Sequence, residues 1–230
     1  MALLLDAFQS LFTGRLYKHR DSSQGDKIAA FLYDDLLALG RSPKLVQRVQ
    51  QQISVAANTG KVFGRPGRRP DGTFGALVPG ALPEQCPPYT TWRGPLARLE
   101  IGAEVKILAT KMIAQIDRVL TGLSDQATSL ASQNRTAVKV AIVGVNHAPA
   151  YTGWEGDRAF VAKSPPCQEA EEIIRRVDAK VRPLYDELLV LPFSATNRPP
   201  YTFSWVQPTR TLHEYNAILL RVSDEYEDRF

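Results

Sequence analysis

The segment ARLEIGAEVKIL, residues 97–108, decides the reading of the fold. Ile101, Ala103, Val105 and Ile107 alternate with Glu100, Gly102, Glu104 and Lys106. Residues two apart on a strand share a face, so the spacing predicts a strand with one apolar and one polar side. Downstream, Ile113, Ile116, Leu120 and Leu123 recur at helical intervals across about 110–131, with Gly122 as a weak point. VKVAIVGVNHA (138–148) then reads as a strand buried on both faces. After a polar, aromatic loop, YTGWEGDRAF (151–160), come a helix over 168–181, a second buried strand DELLVLPF (186–193), and a helix over 209–229. Strand, helix, strand, helix, strand implies a partly parallel sheet covered by helices, an α/β protein with a mixed central sheet.

Upstream, Ile28, Leu32, Leu36 and Leu39 predict a helix over 26–39, stopped by Gly40. A second helix starts at the cap Ser42-Pro43 and is expected to run to a break near 58–60, with Leu45, Val49 and Ile53 in one stripe. From 60 to 95 the texture changes to Gly, Pro, Arg and aromatic residues, where only 61–63 and 73–78 look strand-like. With no internal repeat and no long linker, residues 1–230 form one expected domain. Its core covers about 26–146, and an α/β extension covers about 147–230.

The chain has 230 residues and a formal net charge of +4, enough length for a sizeable core and no dominant basic tail. Its two cysteines, Cys86 and Cys167, lie beside Pro-rich sequence without zinc-site spacing, so neither a disulfide framework nor a zinc centre is expected. The apolar start MALLLDAF lacks a basic leader and reaches Asp6 too soon for a signal peptide, and no stretch is long enough to span a bilayer. A cytoplasmic protein without membrane partners is the expectation.

Glu104 and Lys106 share a strand face about 6.6 Å apart and place a carboxylate beside an ammonium. A carboxylate is a hard oxygen ligand suited to magnesium, which usually takes a second acid as well. Pro70-Asp71, at the head of the strand-like run 73–78, supplies one on an adjacent strand.

Pro70-Asp71 followed by Glu104-Val105-Lys106, with a helix before the first motif and a helix and strand after the second, resembles the PD-(D/E)XK nuclease superfamily over about 26–146. The resemblance implies a restriction-endonuclease-like core: helix, three mostly antiparallel strands, helix and strand. It implies that Asp71 and Glu104 hold Mg2+, with Mn2+ able to substitute, that the Val105 carbonyl adds a ligand, and that Lys106 orients or activates the attacking water. Products would carry a 5′-phosphate and a 3′-hydroxyl. Gln115 matches a polar position near the site in some branches. The gap between the two motifs is long and holds the Pro-rich insertion 79–95, which leaves Glu84 as an alternative to Asp71. Asp34 and Asp35 are the acids nearest the family's helix position.

Lys61, Arg65, Arg68 and Arg69, interleaved with glycines, form the expected nucleic-acid contact just before Asp71. Tyr89, Trp92 and Arg93 either stack on bases or anchor a loop. His147 and the loop of Tyr151, Trp154, Glu155, Asp157 and Arg158 are more polar and aromatic than a connector requires, and sites often occupy loops at the carboxyl ends of such strands. The leading expectation is a magnesium-dependent DNA endonuclease of restriction or phage defence, acting as a homodimer. The alternatives are an inactive nucleic-acid-binding module or an interaction protein that meets a protein partner through the C-terminal extension.

Overall fold

The computed structural model describes residues 2–19, 21, 23–57, 70–155 (Glu155 by its backbone alone), 158–161 and 164–230. In chain order the elements are α1 (Leu3–Ser10), α2 (Ser23–Leu39), α3 (Pro43–Gln50), β1 (Ser54–Ala57), β2 (Gly72–Leu77), β3 (Arg93–Gly94), β4 (Ala97–Leu108), α4 (Met112–Gln133), β5 (Val138–Asn146), β6 (Thr152–Glu155), β7 (Arg158–Val161), α5 (Pro166–Val181), β8 (Glu187–Ala195), β9 (Phe203–Trp205) and α6 (Pro208–Arg229). One seven-stranded mixed sheet runs β3-β1-β2-β4-β5-β8-β9. β1 and β2 are antiparallel, as are β2 and β4, while β4, β5 and β8 are parallel to one another.

Helices cover both faces. On one side Phe8 of α1, Leu32 of α2, Leu45 of α3 and Ile218 of α6 pack with Ile101, Val140 and Leu191. On the other, Ile116 and Leu130 of α4 and Ile173 of α5 pack with Ala141, Val143 and Val145. β5 faces both clusters, which is why it reads as an unbroken apolar run. The sheet continues from β5 into β8, and Asp35 of α2 accepts from the Tyr215 hydroxyl of α6 at 2.6 Å. Residues 147–230 thus complete the same sheet and core. Among the described residues no helix is long and apolar enough to cross a membrane.

Three local readings change, and the N-terminal segment gains an element. The expected helix over 42–57 stops at Gln50, and 54–57 is the buried strand β1. The chain turns through Gln52 at φ 60°, where the Gln52 N–H donates to the Val49 carbonyl at 3.0 Å and the Ile53 N–H to the Arg48 carbonyl at 2.8 Å. This is a Schellman stop, built here without its usual glycine. Replacing Gln52 with glycine relieves the left-handed conformation and is expected to stabilise the protein by about 0.5–1 kcal/mol, measured by urea denaturation.

Glu100 leaves the polar face assigned to it. Phe74 pairs with Ile101 but Gly75 with Leu99, so Glu100 is the extra residue of a β-bulge. It turns toward α6, where Tyr226 donates to its carboxylate at 2.6 Å. Gly75 is needed there because a Cβ would lie 1.7 Å from the Arg98 carbonyl oxygen. The loop 151–160 contains the β6–β7 hairpin, and the N-terminal apolar segment is the buried helix α1. The strand-like run 61–63 lies outside the described residues.

Candidate metal centre

β2 pairs with β4 only as far as Gly72 opposite Ala103, after which β4 runs on to Leu108 beside β5 alone. At this fork the Asp71 carboxylate takes the place of a strand partner, and the Val105 N–H donates to its Oδ2 at 2.8 Å. Glycines let α2 close over the fork: a Cβ on Gly72 would lie 2.5 Å from Ala29 Cβ, and one on Gly25 would lie 2.8 Å from the Asp71 carboxyl carbon.

Glu104 and Lys106 project from the extended part of β4. Lys106 Nζ donates to Glu104 Oε1 and, at 3.2 Å, to the Val105 carbonyl, and lies 3.8 Å from Asp71 Oδ2. The Glu104 side chain is only 5% exposed, and its Oε2 is buried with no hydrogen-bond donor. Burial, with the neighbouring Asp71 charge second, pushes the Glu104 carboxyl up to about 7, against the opposing pull of Lys106. A buried acid with one unsatisfied oxygen lowers its free energy by gaining a cation.

The donor set fits a hard divalent ion: two carboxylates and, at Val105, a backbone carbonyl. The described residues contain no group of three or more His, Cys, Asp or Glu side chains suited to a metal. Magnesium is commonly held by one or two carboxylates with water completing the octahedron, which agrees with this sparse set, whereas structural zinc would need more side chains.

The chain matches no known family model and no curated protein. Its chemistry is therefore read from the placement of these residues. Asp71, Glu104, Val105 and Lys106 come together. Glu84 does not join them: it is exposed and held by a backbone bridge to Arg93 of β3, with β1 and β2 between it and β4. Asp34 instead accepts from the Thr91 N–H at 2.7 Å, and Asp35 from the Leu3 and Leu4 N–H groups at 3.0 and 2.9 Å, so both are structural. Asp26, in the first turn of α2, borders one narrow crevice together with Asp71, Ala57 and Arg93. Of the α2 acids it is the one that shares a crevice with Asp71, and its only signal in the sequence was its place beside Gly25 at the helix start.

Lys61, Arg65, Arg68 and Arg69 lie outside the described residues, in the connection between Ala57 and Pro70. The loop aromatics act as anchors: Tyr89 packs on Phe31 at 5.0 Å between ring centroids, the Arg93 guanidinium covers Tyr89 at 4.8 Å, and Trp92 packs against the core. Gln115 stands apart from the acids, donating to the Thr110 carbonyl at 3.2 Å on the wall of a cavity at the end of β4. His147 borders a different cavity, of about 260 Å³, with Glu171, Arg210 and Glu214. Cys86 and Cys167 are free thiols.

Proposed function

We propose that this protein is a metal-dependent nuclease with a restriction-endonuclease-like core, hydrolysing phosphodiester bonds of DNA. One observation carries the reading: Asp71, Glu104, the Val105 carbonyl and the Lys106 ammonium converge at the fork where β2 ends against β4, with a Glu104 oxygen buried and unsatisfied. The core order supports it: α2, the antiparallel set β1-β2-β4, helix α4, and β5 parallel to β4.

Asp71, Glu104 and the Val105 carbonyl would hold Mg2+ or Mn2+. Such an ion lowers the pKa of a bound water and neutralises charge that builds on the phosphate and the leaving oxygen. Asp71 does double duty, since its bond to the Val105 amide fixes the strand carrying the other ligands. Lys106 is held by Glu104 and the Val105 carbonyl and is 28% exposed, which leaves its charge accessible to a phosphate entering from solvent. Water oxygen bonds to phosphorus as the bond to the 3′ oxygen breaks, giving a 5′-phosphate and a 3′-hydroxyl.

Incubation of plasmid and linear DNA with the protein in magnesium or manganese tests this. Cleavage is expected with wild type and is expected to fall by about 10³-fold or more in Glu104→Ala and in Lys106→Ala, with DNA binding preserved in both. Binding itself is expected to weaken steeply as salt is raised. Wild type that binds DNA without cutting it, or variants that cut as wild type does, would overturn the assignment.

A further inference from the structure

A cavity of about 320 Å³ opens at the carboxyl end of β4, beginning at Ile107 and Leu108, directly after Lys106. Its walls come from three places in the chain: Thr110 and Lys111 before α4, Arg118 on α4, and Trp154 and Phe160 from the β6–β7 hairpin, with His19 beside them. We propose that this cavity receives one nucleotide of the strand being cut, its base against Trp154 and Phe160 and its phosphate against Lys111 and Arg118. The assignment rests on the nuclease reading and adds to it where a base is held.

Four features favour a nucleotide over a simple anion or an apolar ligand. The size lies at the lower end of the range for small-molecule sites, suited to one nucleotide. Two aromatic side chains stand beside two cations, and the described lining contains no carboxylate. Base stacking on aromatic groups and phosphate pairing with Lys or Arg use those two surfaces together. Two polar atoms are buried without partners: Thr110 Oγ1, on a residue only 5% exposed, and Trp154 Nε1. The first can donate or accept and the second only donates, which suits the acceptors on a base edge.

The first turn of α4 does not serve as the anion site. Glu169 of α5 accepts from the Met112 N–H at 2.7 Å and the Ile113 N–H at 3.2 Å, so those donors are occupied. The cationic groups on the wall are side chains: Arg118, which donates to Gln115 Oε1 at 3.4 Å, and Lys111. Lys111 Nζ lies 4.1 Å above the Phe160 ring, a cover that a flexible lysine can exchange for a phosphate while the ring takes the base. Phe160 itself is laid flat across Gly153, where a Cβ would come within 2.1 Å of the ring. Burial lowers the His19 pKa to about 4, so that wall is neutral at physiological pH, with Nε2 placed 3.2 Å from the Tyr151 hydroxyl.

Calorimetric titration of the full chain carrying Glu104→Ala, in EDTA, tests the pocket apart from cutting. The probes are dAMP, deoxyribose 5-phosphate and a deoxythymidine hexanucleotide. The abasic sugar phosphate is expected to bind at least about tenfold more weakly than dAMP, because stacking contributes about 1–3 kcal/mol per base. Phe160→Ala should weaken dAMP about tenfold and leave the sugar phosphate unchanged. Arg118→Ala should weaken both. The hexanucleotide should bind more tightly than dAMP and displace it. Equal affinity for dAMP and the sugar phosphate would reduce the cavity to an anion site and overturn the proposal, as would absence of dAMP binding, and a hexanucleotide that fails to compete would overturn the strand assignment. If wild type cuts no DNA but these bindings hold, the catalytic reading fails and the pocket stands; if it cuts and dAMP does not bind, the reverse follows.

Discussion

Glu104→Gln is expected to raise the stability of the metal-free protein at pH 8 while abolishing magnesium-dependent cleavage. The carboxyl titrates near 7 in the folded chain, against 4.5 for an ordinary glutamate, because it is buried beside Asp71. Between those two values the folded state binds more protons than the unfolded state, so this group's contribution to stability falls as pH rises from about 4.5 through 7. Above 7 the penalty is fully present; below 4.5 it is gone. Glutamine removes the charge that is being penalised and leaves Lys106 near Asp71, which it already approaches at 3.8 Å. A stabilisation of about 1–3 kcal/mol at pH 8 is expected, shrinking to nothing by pH 4.5. Each kcal/mol moves the melting temperature by about 2–4 °C in a chain of this size. Thermal melts in EDTA across pH 4.5–8.5 measure it, and magnesium should then raise the melting temperature of wild type but not of the variant. A variant that is less stable than wild type at pH 8 would show that the carboxylate is already satisfied without a cation.

The strand 97–108 and the elements after it were legible because each repeats one period long enough to exclude the other: alternation in β4, an apolar run in β5 and β8, helical spacing in α2 and α4. Reading Asp71 with Glu104 and Lys106 needed only that β2 lie beside β4. The choice between Asp71 and Glu84 needed the strand order, because β3 and its bridge to Glu84 sit at the far edge of the sheet. Asp26 was hard to read for a related reason: its place beside Asp71 is set by how Ala29 of α2 packs over Gly72, a contact made across 43 residues of chain. The end of α3 was missed because the left-handed residue is Gln52 and carries no local glycine signal. Ile53, expected in the buried stripe, is 43% exposed in consequence.

The bulge at Glu100 gives the sharpest contrast with Glu104, since two glutamates on one strand are expected to respond in opposite directions. Glu100 accepts from Arg48, from Ser54 Oγ at 3.1 Å, from the Ala76 N–H at 3.1 Å and from the Tyr226 hydroxyl at 2.6 Å. Its side chain is 7% exposed and fully engaged, joining α3, β1, β2 and α6 to β4. Glu100→Ala leaves the buried Tyr226 hydroxyl and the half-buried Arg48 guanidinium without this acceptor, a loss expected to cost about 3–5 kcal/mol. Urea denaturation at pH 7 measures it. Because α3 and α6 are tied to β4 through this carboxylate, the same variant should expose α6 to faster amide exchange before global unfolding. A cost under about 1 kcal/mol would mean that the network contributes little and that apolar packing alone holds these helices to the strand. A cost near the expected range, alongside stabilisation by Glu104→Gln, would separate the acid that holds the sheet together from the acid whose oxygen is left open for a metal.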